Sequence, residues 1–336
     1  MENDGFPWHF RRGIVTAHLL AAVAAGHGIA RGVCLSGTGI TPAQFDDPEA
    51  EITAEQEIRI VRNLLAVVGP DVPLGIEVGL HYQLTVFGVW GLAMLSARDM
   101  RTCVQWGLKH VALTTAFCRI TVEERGDEVR LVFDDRAIPP DVRRFLVERG
   151  MVAALMLQRE LTGGPIPLRS VHLRSSRPSY AESIETLCGR TITFDAPANV
   201  VCVDGSYLDL PNPRANELTA RLCEKHCRAL LEQRAAPVSL AERVHERIVR
   251  WPGEVPALDT VAAELGMTER TLRRRLELEA TSYRALVNSA REAMAIDLLE
   301  SGLTVADVAA RLGYADTSSF TQAFRRWKGA PPSSHR

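Results

Sequence analysis

No apolar run in this 336-residue chain is long enough to cross a bilayer. The stretch from Leu19 to Ala25 falls far short of the roughly 20 residues a spanning helix needs and lacks a cleavage site, so neither a membrane segment nor an export signal is expected. Also missing are a P-loop, a paired metal-ligand set and a Gly-x-Ser-x-Gly elbow, which leaves no catalytic residue, cofactor or metal to assign. The seven cysteines, Cys34, Cys103, Cys118, Cys188, Cys202, Cys223 and Cys227, are odd in number and scattered. That suits a reducing cytoplasm, where thiols serve mostly as small buried apolar groups. Cys223 and Cys227 stand one helical turn apart, but no second pair at zinc-like spacing accompanies them. A strong positive charge is absent as well: 39 basic against 41 acidic residues give a formal net charge of −2. Any affinity for a polyanion must therefore come from where the charges sit.

What is present is one pattern written twice. An apolar-periodic helix, a turn opening on Gly and a second helix run from Leu258 to Leu278, and a comparable unit runs from Val305 to Trp327. In the first, Val261, Ala262 and Leu265 form a core face, Gly266 ends the helix, and Thr268 caps a helix carrying Leu272 and Leu276. The second answers with Val308, Ala309, Leu312, Gly313, an Asp316 cap, Phe320 and Phe324. This is the helix-turn-helix signature: a packing helix, a Gly that permits the left-handed turn, and a helix able to lie in a major groove. Between the copies, Tyr283, Leu286, Val287, Ala290, Met294, Leu298 and Leu299 recur at three and four, predicting one helix from Ser282 to Ser301 that sets the separation of the units.

Residues 236 to 336 hold 14 basic and 13 acidic residues, yet the basic ones cluster. Arg270, Arg273, Arg274 and Arg275 crowd one recognition helix, and Arg325, Arg326 and Lys328 the end of the other. With Leu272 and Leu276 facing the core, Arg270, Arg273 and Arg274 fall on the outer arc, where an Arg fork can bridge the acceptors of guanine; Arg275 suits a phosphate. In the second helix Thr317, Ser318, Thr321 and Gln322 face outward. Gln322 can pair with adenine, while the hydroxyl residues suit phosphate positioning equally well.

From about Ser239 to Arg336 the chain resembles the AraC/XylS bacterial transcription regulators, most specifically in ELGMTERTLRRRL, in LTVADVAARLGYADTSSFTQAFRRWKG and in the Pro pair that follows. It departs at its end, His335-Arg336, where the family usually carries Tyr-Arg; this bears on the packing of the closing turn. From about Ala21 to Glu232 it is similar to the AraC-type arabinose-binding N-terminal domain of ornithine-utilisation and mycobacterial VirS-type regulators. The segments PLGIEVGLHYQLTVFGVWGLAMLSARDMRTCVQWGLKHVAL, VRLVFDDRAIPPDVRRFLVERGMVAALMLQREL and LCGRTITFDAPANVVCVDGSYLDLPNP carry that resemblance. It implies a sensor or assembly domain and does not imply arabinose.

The expected fold is an α+β N-terminal sensor domain over 1–232, a linker at 233–238, and an all-α DNA-binding domain over 239–336 with two helix-turn-helix units joined by a long helix. A Ser239-x-x-Glu242 capping box starts the latter, and Trp251-Pro252-Gly253 stops its first helix. Upstream, strands are expected near 117–123, 129–133, 171–174, 192–194 and 200–203, with helices over 14–25, 54–68, 87–95, 100–113, 141–161 and 213–232. An effector pocket should draw on His81, Tyr82, Phe87, Trp90, Trp106 and His110, although such residues at helical spacing also build ordinary cores. The expected partners are double-stranded promoter DNA, RNA polymerase, a small-molecule effector and a second copy of the chain, in the bacterial cytoplasm. Two alternatives stay open: a ligand-independent dimer, and a catalytic N-terminal domain of the DNA-repair alkyltransferase kind. The latter depends on Pro-Cys-His-Arg, whereas Phe117-Cys118-Arg119 lacks both Pro and His.

Overall fold

The computed structural model describes residues 11–234, 239–249, 255–300 and 302–335. The chain divides into two compact units: Met1–His27 with Leu64–Ala236, and Gly28–Asn63 with Pro237–Arg336. Along the chain run the short strand β1 (Arg12–Gly13), helices α1 (Val15–Gly26), α2 (Arg31–Leu35) and α3 (Pro42–Asp46), strand β2 (Glu51–Ile52), and helices α4 (Ala54–Val68), α5 (Leu74–Leu80), α6 (Val89–Ser96) and α7 (Met100–Lys109). The hairpin β3 (Arg119–Arg125) and β4 (Glu128–Asp134) follows. After it come α8 (Pro140–Thr162), β5 (Leu168–His172), α9 (Ala181–Cys188), β6 (Ile192–Thr193), β7 (Asn199–Asp204) and α10 (Glu217–Arg234).

The first unit is α+β, as expected, and is built on a five-stranded mixed sheet of order β3-β4-β7-β5-β6. A two-residue loop turns the β3–β4 hairpin, with Gly126 at φ 62° supplying the left-handed position. On β4 the alternation of Val129, Leu131 and Phe133 puts all three in the core. The last strand in sequence, β7, lies at the centre of the sheet, which is why Val200, Val201, Cys202 and Val203 are all buried.

Helix α8 covers the sheet face that carries Leu131, Phe133, Val201 and Val203, and α5 packs along α8. That second contact depends on glycine. A methyl group at Gly75 would sit 2.6 Å from the Phe145 carbonyl oxygen, and one at Gly79 would sit 2.7 Å from Val152 Cβ. Gly91 on α6 is tighter still, 1.8 Å from the Leu84 carbonyl oxygen. Gly75→Ala and Gly91→Ala are each expected to destabilise this unit by about 1–3 kcal/mol, because the obstacle is backbone. Denaturant titration tests this; an unchanged midpoint would contradict the close packing.

Several boundaries differ from the sequence expectation, each for a local reason. The helix expected over 87–95 starts at Val89, because Gly88 at φ 51° separates it from a 3-10 turn, Leu84–Phe87. The one expected over 100–113 stops at Lys109 and tightens into a 3-10 turn, Val111–Leu113. The one expected over 213–232 begins at Glu217, where the Asn216 side chain accepts from Thr219 N at 3.0 Å, and runs on to Arg234. Residues 235–238 of the expected linker lie outside the described residues. Helices α2, α3, α5 and α9 were not expected.

From Leu240 onward the all-α arrangement holds: α11 (Leu240–Val249), α12 (Leu258–Glu264), α13 (Glu269–Leu278), α14 (Tyr283–Glu300), α15 (Val305–Arg311) and α16 (Thr317–Lys328). The Trp251-Pro252-Gly253 stop, Ser301, Arg336 and the side chains of Glu242 and His335 lie outside the described residues. What the structure shows at the start of α11 is Glu279, whose two carboxylate oxygens accept from Leu240 N at 2.9 Å and Ala241 N at 2.7 Å. These are first-turn donors with no helical partner, and a carboxylate there also meets the positive end of the helix dipole.

Candidate functional site

The two helix-turn-helix copies fold alike in detail. Helix α12 ends with Gly266 at φ 68° and Met267 N donating back to Ala262 O at 2.9 Å; α15 ends with Gly313 at φ 74° and Tyr314 N donating to Ala309 O at 3.0 Å. Both second helices are capped as expected, α13 by Thr268 accepting from Thr271 N and α16 by Asp316 accepting from Ser319 N at 2.7 Å. Each copy owns a core. Leu272 and Leu276 join Val244, Ile248, Val261 and Ala262 in one; Phe320 and Phe324 join Val308, Ala309 and Leu312 in the other. Helix α14 serves both, giving Val287 and Ala290 to the first and Ala295 and Leu299 to the second. Eighteen residues at 1.5 Å rise make it about 27 Å long, a stiff strut between the units.

That packing decides which side chains face out. Arg270, Arg273, Arg274 and Arg275 are all exposed on α13. Arg273 pairs with Glu269 one turn back at 3.2 Å, while Arg270, Arg274 and Arg275 have no ion-pair partner among the described residues. An exposed i,i+4 pair of this kind contributes only a few tenths of a kcal/mol, so it holds Arg273 without neutralising the face. On α16, Thr317, Ser318, Gln322, Arg325 and Arg326 are exposed. Thr321 is half-buried and its hydroxyl donates to Thr317 O at 2.8 Å, spending its only proton within the helix. Lys328 faces Glu292 of α14 at 3.7 Å. Arg291 lies 5.2 Å over the Tyr314 ring, extending an aromatic cluster of Tyr314, Phe320, Phe324 and Trp327 that braces α16.

In the first unit the six aromatic and histidine candidates separate. Tyr82, Phe87 and Trp90 form one stack: Tyr82 lies parallel to Phe87 at 5.6 Å, and Phe87 meets Trp90 edge-on at 5.3 Å. Phe87 and Trp90 line an apolar cavity of about 130 Å³ bounded by α6, α7, α8 and the sheet residues Ile120, Leu131 and Phe133. Trp106 and His110 form a separate edge-on pair at 6.0 Å, with His110 Nδ1 3.2 Å from Trp106 O, and His81 is exposed at the end of α5. Neither those three nor Tyr82 lines the cavity.

Among the cavity residues that sequence reasoning missed are Arg149 and Tyr207. Arg149 is buried, with Nη2 donating to Thr115 O at 2.9 Å and its guanidinium 5.4 Å from the Phe117 ring centroid. A second, open cleft of about 550 Å³ carries several charged groups, among which Arg174 pairs with buried Asp135 and Glu148 accepts from Tyr180. Burial raises the Glu148 carboxyl to about 7.

Two family models match the chain: the arabinose-binding domain of AraC transcription regulator, N-terminal, over residues 28–212, and a helix-turn-helix domain over residues 261–336. The HTH-type transcriptional regulator Rv1395 of Mycobacterium tuberculosis is 34% identical over 98% of this chain and 97% of its own length. The chain belongs to the AraC family of transcription regulators. The ornithine utilization regulator of Pseudomonas aeruginosa is similar to this AraC-family chain at 26% identity, over 96% of it and 95% of the relative. A crystal structure of the transcriptional regulator CdpR from Pseudomonas aeruginosa aligns with a TM-score of 0.49 at 26% identity, covering 96% and 97% of the two chains.

This AraC-family protein is thus a DNA-binding transcription regulator with an arabinose-binding-like N-terminal domain. Six of its thiols are buried and Cys188 is half-buried, in line with the packing role read from their distribution. Burial pushes Cys118 up to about 12, far from the reactive thiolate an alkyltransferase requires. Among the described residues no helix is long and apolar enough to cross a membrane, and no cluster of His, Cys, Asp or Glu could hold a metal ion.

Proposed function

We propose that this regulator reads promoter DNA with both helix-turn-helix units at once, and that its N-terminal domain governs that reading by binding a small molecule and joining two subunits. The exposed Arg face of α13 carries the DNA half of this reading. Arg270, Arg273 and Arg274 reach base edges, while Arg275, Thr317, Ser318, Arg325 and Arg326 position the phosphates and Gln322 reads adenine; Thr321, its proton given to Thr317 O, drops out of the contact set. Recognition helices held by one strut enter successive major-groove segments about one turn, roughly 34 Å, apart. Arg274→Ala is expected to lose about 1–3 kcal/mol of discrimination between cognate and random DNA, with a smaller effect for Arg273→Ala because Glu269 already shares that guanidinium. Arg326→Ala should weaken all sequences alike and flatten the salt dependence. Titrations on specific and random duplexes at several salt concentrations decide it; equal losses on both for Arg274→Ala would remove it from the base readers.

The effector half rests on the apolar cavity, whose walls are helices and sheet of one domain with Phe87 and Trp90 among them. The functional division is 1–232 for sensing and assembly, 233–238 as linker and 239–336 for DNA, with RNA polymerase as the partner through which promoter occupancy is read out. Thermal-shift screening of metabolites against the full chain, paired with DNA binding, tests this. DNA affinity indifferent to every metabolite would favour the ligand-independent dimer instead.

A further inference from the structure

We propose that Glu269 and Arg273 act as one oriented reader of a C·G base pair, with the carboxylate on cytosine N4 and the guanidinium on guanine O6 and N7. This role rests on α13 lying in a major groove, and it makes Glu269 a specificity-determining residue beside the arginines. Glu269 is the first residue of α13, next to the Thr268 cap, and the first turn of a recognition helix is the part that meets base edges. Its Oε2 lies 3.2 Å from Arg273 Nη2, with the two side chains 47% and 64% exposed. Leu272 and Leu276 bury the other side of the helix, so the ion pair stands on the outer face with Arg270 and Arg274.

A carboxylate is out of place on a surface that approaches phosphates, since every sequence repels it alike. The major groove offsets that only where it presents a hydrogen-bond donor, and the donors there are cytosine N4 and adenine N6. The neighbouring cation chooses between them. Within a C·G pair, cytosine N4 donates to guanine O6 over the roughly 2.9 Å of an ordinary N–H···O bond. The ion pair, at 3.2 Å, can lie alongside that bond with each charge against its complement. Guanine N7 beside O6 then gives the guanidinium a second acceptor. On an A·T pair the match is poorer at both ends: the carboxylate meets the N7 acceptor beside N6, and the guanidinium meets the thymine methyl beside O4. Reversing the order to G·C sets the carboxylate against O6 and N7. Burial in the groove removes water and strengthens these contacts, whereas in the free protein the exposed ion pair contributes little. A first-turn carboxylate also favours the helix dipole, but that role leaves base preference untouched.

The test is selection by the full chain from a randomised duplex library, for wild type, Glu269→Gln, Glu269→Ala and Arg274→Ala, followed by dissociation constants on selected and random duplexes. Wild type should fix a C·G pair at the position that the Glu269 variants alter. Glu269→Gln, whose amide can pair with adenine N6 and N7, should lower the preference for C·G over A·T there by about tenfold or more; Glu269→Ala should leave the position open. Both should hold random duplexes at least as tightly as wild type, because a repelled charge has gone. A C·G preference retained in both variants, preference lost at many positions together, or weaker binding of random DNA would each overturn the proposal. Arg274→Ala tells its failure from that of the reading beneath it. If Arg274→Ala relaxes another position while the Glu269 variants change nothing, the ion pair is not a reader and α13 still is. If wild type selects no sequence, or no α13 variant alters what is selected, α13 reads no bases and both fall.

Discussion

Phe324→Ala should melt the second helix-turn-helix unit while leaving the first folded. The residue is fully buried in a core of only seven buried side chains and meets Phe320 at 5.8 Å and Trp327 at 6.3 Å. Truncating a buried Phe costs about 3–5 kcal/mol, a large share of what a small domain possesses. The first unit has its own core from α11, α12, α13 and the front half of α14, of which Phe324 is not a member. Hydrogen exchange in the full chain should therefore show protection lost in α15 and α16 and retained in α13, and footprinting should lose one groove segment. Loss of protection in both units together would mean that the cores fold as one, and independent reading by two units would have to be abandoned.

The second large effect concerns assembly. Leu218 and Leu222 stand one turn apart on α10 at 81% and 55% exposure, while Cys223 and Cys227 bury the opposite face of the same helix. Exposed leucines at that spacing are the seam a second copy would cover. For the proposed dimer, changing both to Glu is expected to give monomer and to weaken binding to DNA with two sites by about a hundredfold or more, with single-site affinity unchanged, because only linked heads gain from effective concentration. Sedimentation of wild type and variant, with titration of one-site and two-site duplexes, checks this. A wild-type protein that sediments as a monomer at working concentration would end the argument.

Periodicity made the DNA-binding half legible almost residue by residue. Leu272, Leu276, Phe320 and Phe324 alternate with charge at helical steps, Gly266 and Gly313 mark the turns, and Thr268 and Asp316 cap where such residues should. Each of these signals is local, and local signals survive in one sequence. The part Glu279 plays at the start of α11 was not legible, since it reaches Leu240 and Ala241 across 39 and 38 residues of chain. Helix α5 was hidden for the same reason: Gly75 and Gly79 depress its intrinsic propensity, and their use appears only once α8 lies against them. In the N-terminal domain the aromatic signal found Phe87 and Trp90, but gave equal weight to His81, Tyr82, Trp106 and His110, which do not line the cavity. Tyr207 belongs to a turn after the final strand, with no pattern around it to announce that it lines a cavity.

Glu279 has a mechanical consequence. Any motion passed along the chain into the DNA-binding helices arrives at the start of α11, and the amides there are gripped by the residue that ends the recognition helix. Immediately after it, Ala280 holds φ 54°, a left-handed conformation that a non-glycine residue adopts at some cost. Tension at the entry point is thus delivered to the heel of the reading helix through two hydrogen bonds, beside a joint already loaded against its preferred geometry. A displacement of that entry point would be felt first at the C-terminal end of α13, the end opposite Arg270.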